Sequence, residues 1–201
     1  MTLVDNRPAA PDFAAARKAM IDSQLRVSEV NDPTVLERMN TVPREDFVPD
    51  SARAIAYVDR AVPLGGGRFL AAPLVQGRLL EEAAPTVADK ALLVDGGSGY
   101  MTELLRPLVG SLEALSPADA LAPGKAGDFT LLVIEGAIEA LPDALAGRLA
   151  ENARVVTGLL SRGITRLAVG RKIAGEVALM PLAEIGMPVL PEFAVPKGWS
   201  F

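Results

Sequence analysis

The stretch Ala91-Leu92-Leu93-Val94-Asp95-Gly96-Gly97-Ser98-Gly99 decides how this chain is read. Four apolar residues in succession fit a short strand buried on both faces, as strands of a parallel sheet are. A glycine turn follows, and then a pattern that predicts a short helix ending at Pro107. Strand, glycine turn and helix N-terminus together make the place where a nucleotide-like ligand lies, because glycines let the backbone approach and unpaired N–H groups face the ligand. The turn is not a full G-x-G-x-x-G and has no Walker lysine. Read alone, it is equally a tight strand-to-helix turn with no ligand.

Working outward, the pattern repeats on the C-terminal side. Val109 to Leu115 reads as a second, weaker strand and Ser116 to Asp128 as a Pro/Gly/Ala-rich loop. Phe129 to Ile134 carries the strongest strand signal, Pro142 to Ala150 reads as helix, and Arg154 to Leu160 as another strand. Ile164 to Val169 and Glu176 to Met180 predict a hairpin turning through Gly170 to Gly175. Strands alternating with helices argue for a parallel sheet with helices on both faces.

The N-terminal side is helical. After a loose arm over Met1 to Asp12, apolar residues at Phe13, Ala16, Met20, Ile21 and Leu25 have a helical period. Asp32-Pro33 is a helix start, with Asp as N-cap and Pro in the first turn, and Pro43 ends that helix. Asp50 or Ser51 caps a short helix through Ile55, Pro63 to Phe69 reads as a glycine-rich loop, and Pro73 opens a helix through Leu80.

The composition limits the chemistry. With 201 residues, half of them hydrophobic, the chain can bury a sizeable core and is not disordered throughout. It has no cysteine and no histidine. Disulfides, thiolate nucleophiles, imidazole bases, Ser-His-Asp catalysis and Cys- or His-ligated metal sites are therefore excluded, and no metal is expected. Chemistry falls to carboxylates, hydroxyls, Lys, Arg or a bound cofactor. Twenty basic against 25 acidic residues give a net charge of −5, with no basic stripe, so no nucleic-acid partner is expected. The arm is too polar for a signal peptide, and apolar runs such as Thr130 to Ile134, stopped by Glu135, are too short to cross a membrane. The expectation is a soluble, cytoplasmic protein with no membrane partner. The adjacent acids Glu45-Asp46 and Glu81-Glu82 read as solvated faces, since neighbours on a helix point apart. The tail from Met187 to Phe201, with Phe193, Trp199 and Phe201, reads as a segment wrapped on the domain.

Four segments occur in order: Met20-Ile21-Asp22-Ser23-Gln24-Leu25, Asn31-Asp32-Pro33-Thr34-Val35-Leu36, Val42-Pro43-Arg44-Glu45-Asp46-Phe47-Val48-Pro49, and Ala56-Tyr57-Val58-Asp59-Arg60-Ala61-Val62-Pro63-Leu64-Gly65. With Gly97-Ser98-Gly99-Tyr100 and Asp128-Phe129-Thr130-Leu131-Leu132-Val133, the chain resembles the protein-L-isoaspartate O-methyltransferase family, as a shortened and degenerate member. That family uses S-adenosylmethionine (SAM) to methylate the side-chain carboxylate of isoaspartate in damaged proteins. The resemblance implies an α/β fold: a Rossmann-like SAM-methyltransferase sheet with an N-terminal helical cap and a C-terminal antiparallel hairpin. It implies one domain over residues 1–201, with the cap and substrate loop in 1–89 and the sheet in 90–201. The absent histidine fits, because methyl transfer from a sulfonium to an ionised carboxylate needs no strong base, and positioning supplies ~7–11 kcal/mol of the barrier.

The residues that would do the work depart from the pattern. The family's Thr-Ile-Ser stretch, whose serine is the key hydroxyl, is matched here by Phe69, Leu70 and Ala71, so no catalytic residue is carried over. Pro73 survives, and Leu74 stands where His or Tyr is usual. This substrate loop has become apolar and is expected to pack on the core. Of the cofactor loop, Gly97, Ser98, Gly99 and Tyr100 match with Gly96 beside them; the first motif glycine is Asp95, and Leu93 stands at the strand-end acid. The ribose-binding acid aligns with Ser116, with Glu113 as the other candidate. The twelve residues between Ser116 and Phe129 cannot hold the family's next helix, third strand and adenine-contacting turn. The third strand is therefore expected to be missing, leaving Val109 to Leu115 at the sheet edge. Two functions stay open: weak SAM binding with methylation of a protein or peptide impaired or lost, or a non-catalytic binding or scaffold protein.

Overall fold

The computed structural model describes residues 12–125 and 127–195. The expected arm, apart from Asp12, lies outside them, as do Trp199 and Phe201.

Helix α1 (Phe13–Met20) is capped by the Asp12 carboxylate, which accepts from Ala15 N at 3.0 Å. The run continues through a π turn, Ile21–Leu25, and a 3₁₀ turn, Arg26–Ser28. Helix α2 (Pro33–Thr41) is capped by Asp32, which accepts from Thr34 N and Val35 N. Asp50–Ile55 is a 3₁₀ helix entered from Pro49, with no side-chain cap where Asp50 or Ser51 was expected.

The glycine-rich segment is a hairpin rather than a loop: β1 (Val62–Gly65) pairs antiparallel with β2 (Arg68–Leu70). Gly65, Gly66 and Gly67 all have positive φ at its tip, which side chains would resist. Helix α3 (Pro73–Ala83) follows.

The main sheet is built from β3 (Lys90–Val94), β4 (Ser111–Leu115), β5 (Phe129–Ile138), β6 (Leu149–Ser161), β7 (Ile164–Ile173) and β8 (Glu176–Glu184). Its order is β4-β3-β5-β6-β7-β8, parallel from β4 to β6 and antiparallel beyond. Helix α4 (Tyr100–Leu105) connects β3 to β4. The expected order of the first four strands holds, and β4 lies at the edge with no strand on its outer side among the described residues. Its residues are exposed or half-buried, with Ser111 and Glu113 as polar interruptions that blunt an edge.

The sheet packs on both faces. Ala91, Leu93, Leu131 and Val133 face a core shared with α3 and the N-terminal helices. Leu92, Val94, Leu132 and Ile134 face a second core with Leu145, Leu149 and Phe193. The continuous apolar run of β3 is the signature of that double burial.

Several boundaries shift. The helix expected over Pro142 to Ala150 is only α5 (Asp143–Ala146), because Leu149 already begins β6. The terminal hairpin turns at Ala174–Gly175, both at positive φ, rather than through Gly170 to Gly175. Strand β5 runs past Glu135 to Ile138. Neither expected solvated face is wholly so. Glu45 is buried, accepting from Arg17 and from the Tyr57 hydroxyl. Glu81 accepts from Asn31 N and Asp32 N, tying α3 to the start of α2.

Candidate functional site

Strand β3 pairs with β4 on one side and β5 on the other. The chain order reverses there, and the crevice at the carboxyl ends of such strands is where open α/β sheets bind ligands. Asp95 and Gly96 follow the end of β3, and Glu135 lies in β5 beside them.

The glycine turn satisfies itself. Asp95 Oδ1 accepts from Gly97 N at 2.7 Å and Gly99 N at 3.0 Å, and Oδ2 accepts from the Thr102 hydroxyl at 2.9 Å. Ser98 Oγ accepts from Tyr100 N at 3.0 Å, and Glu135 Oε2 accepts from Gly96 N at 3.1 Å. Four of the turn's N–H groups, those of Gly96, Gly97, Gly99 and Tyr100, are thus taken by the chain's own carboxylates and hydroxyl. Gly97 and Gly99 sit at φ +111° and +77°, so the turn needs glycine for its own shape. Leu93, at the family's acid position, is fully buried in the core.

The second ligand position is also engaged. Ser116 Oγ donates to Asp119 Oδ2 at 2.6 Å and accepts from Asp119 N at 3.1 Å. Asp119, which sequence reasoning missed, closes this small turn. Glu113 is not in the cleft; it pairs with Arg148 at 3.5 Å beside a separate cavity. What remains is a cleft of about 450 Å³ lined by Phe47, Arg68, Asp95, Gly97, Leu115 and Ser116, among others.

The substrate-loop residues separate. Leu70 and Ala71 are buried, Leu74 is half-buried against the core, and Phe69 is exposed. Behind them lies a polar network that sequence reasoning did not find. Arg44, fully buried, donates to the carbonyls of Ala56 (2.6 Å) and Ala71 and to Gln76 Oε1. Gln76 Nε2 donates to Glu135 Oε1 at 2.5 Å. The Arg44 guanidinium lies 5.2 Å from the Tyr100 ring centroid, and the Tyr100 hydroxyl is buried without a partner among the described residues. Burial first, and the neighbouring Asp95 charge second, push the Glu135 carboxyl up to about 7. The available signal was a lone acid closing an apolar strand, Leu131 to Ile134, with Gln76 inside an apolar helix.

The chain's tail covers this end of the sheet. Ala137 N donates to Pro188 O at 2.8 Å and Leu190 N to Ala137 O at 2.9 Å. Met187, Leu190 and Phe193 are buried, as expected for a wrapped tail. Glu192 forms an ion pair with Arg68 of β2, leaving a void of about 10 Å³ over Gly96 and Glu135.

SAM carries a carboxylate, an ammonium, a sulfonium and two ribose hydroxyls. The turn that would meet the carboxylate presents Asp95, and the position that would meet the ribose is committed to Asp119. These residues suit the ammonium at Asp95 and give the carboxylate and the ribose fewer free partners.

The sheet, the reversal point and the glycine turn define a Rossmann-like methyltransferase fold. The protein-L-isoaspartate(D-aspartate) O-methyltransferase family model matches residues 15–116. A Koribacter versatilis protein-L-isoaspartate O-methyltransferase is 34% identical over 84% of this chain and 89% of its own length. One from Rhodopseudomonas palustris is 33% identical over 62% of this chain and 51% of its own, and one from Aeropyrum pernix 42% identical over 50% and 38%. Those two matches thus span about half or less of the relatives' length. A Plasmodium falciparum crystal structure described under the same enzyme name, in complex with S-adenosyl-L-homocysteine, superposes with TM-score 0.69 at 16% identity, covering 91% of this chain and all of that one. The chain belongs to the protein-L-isoaspartate O-methyltransferase family, whose cofactor is SAM. Among the described residues no helix is long and apolar enough to cross a membrane.

Proposed function

We propose that this chain is a family member that keeps the fold, binds SAM weakly and has lost methyl transfer to protein carboxylates. It acts in the cytoplasm as a binding or scaffold protein for protein or peptide partners. The observation that carries this reading is the Asp95 carboxylate seated on Gly97 N and Gly99 N. It puts an anion on two of the turn's N–H groups, where the cofactor's own carboxylate would compete for them. Ala71, buried and without a hydroxyl, supports the same reading on the acceptor side. The open cleft of about 450 Å³ is what favours residual nucleoside binding over none.

The test is transfer of labelled methyl from SAM to an isoaspartyl peptide. The chain and its Ala71→Ser variant are both expected at background, because restoring a hydroxyl leaves the cofactor turn closed. Robust transfer by the unsubstituted chain would overturn the reading in favour of a working methyltransferase.

A further inference from the structure

Arg68 stands between the two cavities of this site, lining the open cleft on one side and the small void over Glu135 on the other. Its stem lies on the glycine turn: a Cβ added at Gly97 would meet Arg68 Cγ at 3.4 Å. It is the one cation among the described residues that line the cleft, where Asp95 and Glu103 are the acids. Its guanidinium is held at both terminal nitrogens by the Glu192 carboxylate, with NH1 3.3 Å from Oε2. Against the effect of partial burial, the Arg68 hydrogen bond keeps Glu192 below the ordinary carboxylate range, so the pair is ionic at neutral pH. The partner is fixed, because buried Leu190 and Phe193 anchor the turn that carries Glu192.

The cleft therefore meets a ligand with a surplus of negative charge. Its one cation among the described residues is already paired, and the N–H groups of Gly97 and Gly99 are occupied by Asp95. We propose that the Arg68–Glu192 pair sets how the cleft receives a carboxylate: while Arg68 is held by Glu192 a nucleoside finds no cation for its carboxylate, and releasing Arg68 makes that carboxylate a favourable contact. The inference rests on the cleft being the family's nucleoside site, and it goes beyond weak SAM binding by naming the ligand group left without a cation and the residues responsible. A charge-assisted, bidentate contact from a freed Arg68 is the kind of bond that recognises a carboxylate.

Two probes separate the ideas: S-adenosylhomocysteine, which has a carboxylate beside an ammonium, and 5′-methylthioadenosine, which has neither; the carboxylate is read from the response of each to Glu192→Gln. Each is titrated calorimetrically into the chain, Glu192→Gln and Glu192→Gln/Arg68→Gln, with melting curves to confirm folding. Glu192→Gln is expected to tighten S-adenosylhomocysteine about tenfold and leave methylthioadenosine unchanged, and the double variant to lose the gain. If Glu192→Gln changes neither affinity, or both in parallel, the selectivity proposal fails while the nucleoside site stands. If neither probe binds any variant at about 5 mM, weaker than the scale of ordinary weak ligands, the nucleoside site fails and the proposal with it.

Discussion

Asp95 Oδ1 accepts the N–H of Gly97 at 2.7 Å, closing on itself the turn that follows β3. The same oxygen holds Gly99 N, and the other oxygen holds the Thr102 hydroxyl. The loop is thus tied to its own carboxylate at three donors.

Replacing Asp95 by glycine should free those donors. Three side-chain hydrogen bonds are lost, so the variant should be about 1–3 kcal/mol less stable to urea. Its SAM affinity should rise by at least tenfold. A destabilised variant with unchanged affinity would mean that Asp95 shapes the loop without excluding the cofactor.

The Glu135 carboxyl titrates near 7 in the folded chain against 4.5 when unfolded. Between those values the folded state holds a proton that the unfolded state has released, so stability falls as pH rises through that window. The loss is about 3 kcal/mol and is complete above it. Asp89 titrates the other way: against the effect of burial, hydrogen bonds from Thr130 and Arg154 hold it low, and its contribution is lost only as pH falls below its unfolded value of 3.8. Urea unfolding from pH 4.5 to 8 should show the decline, and Glu135→Gln should flatten it. A profile that rises through this window would contradict the buried protonated acid.

Arg44 serves three acceptors from one buried guanidinium, the carbonyls of Ala56 and Ala71 and the Gln76 amide oxygen. Arg44→Ala should cost about 3–5 kcal/mol, because it strands those acceptors and leaves Glu135 without its nearest cation. Arg44→Lys should recover little, since a point ammonium cannot span the same fork. Denaturation midpoints decide this, and a loss under about 1 kcal/mol, the size of an ordinary surface change, would show the network to be incidental.

Tyr100 carries a buried hydroxyl with no partner among the described residues. Tyr100→Phe should therefore leave stability unchanged or raise it by up to about 1 kcal/mol, since the desolvated hydroxyl contributes no bond. The ring's edge-on contact with Phe47, at 5.3 Å between centroids, is kept. A loss beyond 1 kcal/mol would reveal a hydrogen bond to Arg44 in solution.

Much of the frame was legible because each piece had a local cause. The run Leu92 to Val94 is apolar at every position because the strand is covered on both faces, and Asp32-Pro33 caps and opens a helix by itself. The edge position of β4 followed from the shortness of the Ser116 to Phe129 link. The hairpin at Gly65 to Gly67 was hidden because its strands are too short to show a period. Around the candidate site, the apolar character of Ala71 and Leu93 was legible, and the polar network behind them was not. Arg44, Gln76 and Glu135 lie 32 and 59 residues apart in sequence and meet only through the fold. Arg68 and Glu192 are 124 residues apart, and nothing local to either one names the other.

The most direct test of the central claim is a calorimetric titration of SAM into the unsubstituted chain. Each lost charged hydrogen bond is worth ~1.5–3 kcal/mol, and at least two are lost at the turn and the ribose position. The account predicts a dissociation constant in the millimolar range or weaker. A micromolar constant would contradict it and make this chain a cofactor-loaded methyltransferase.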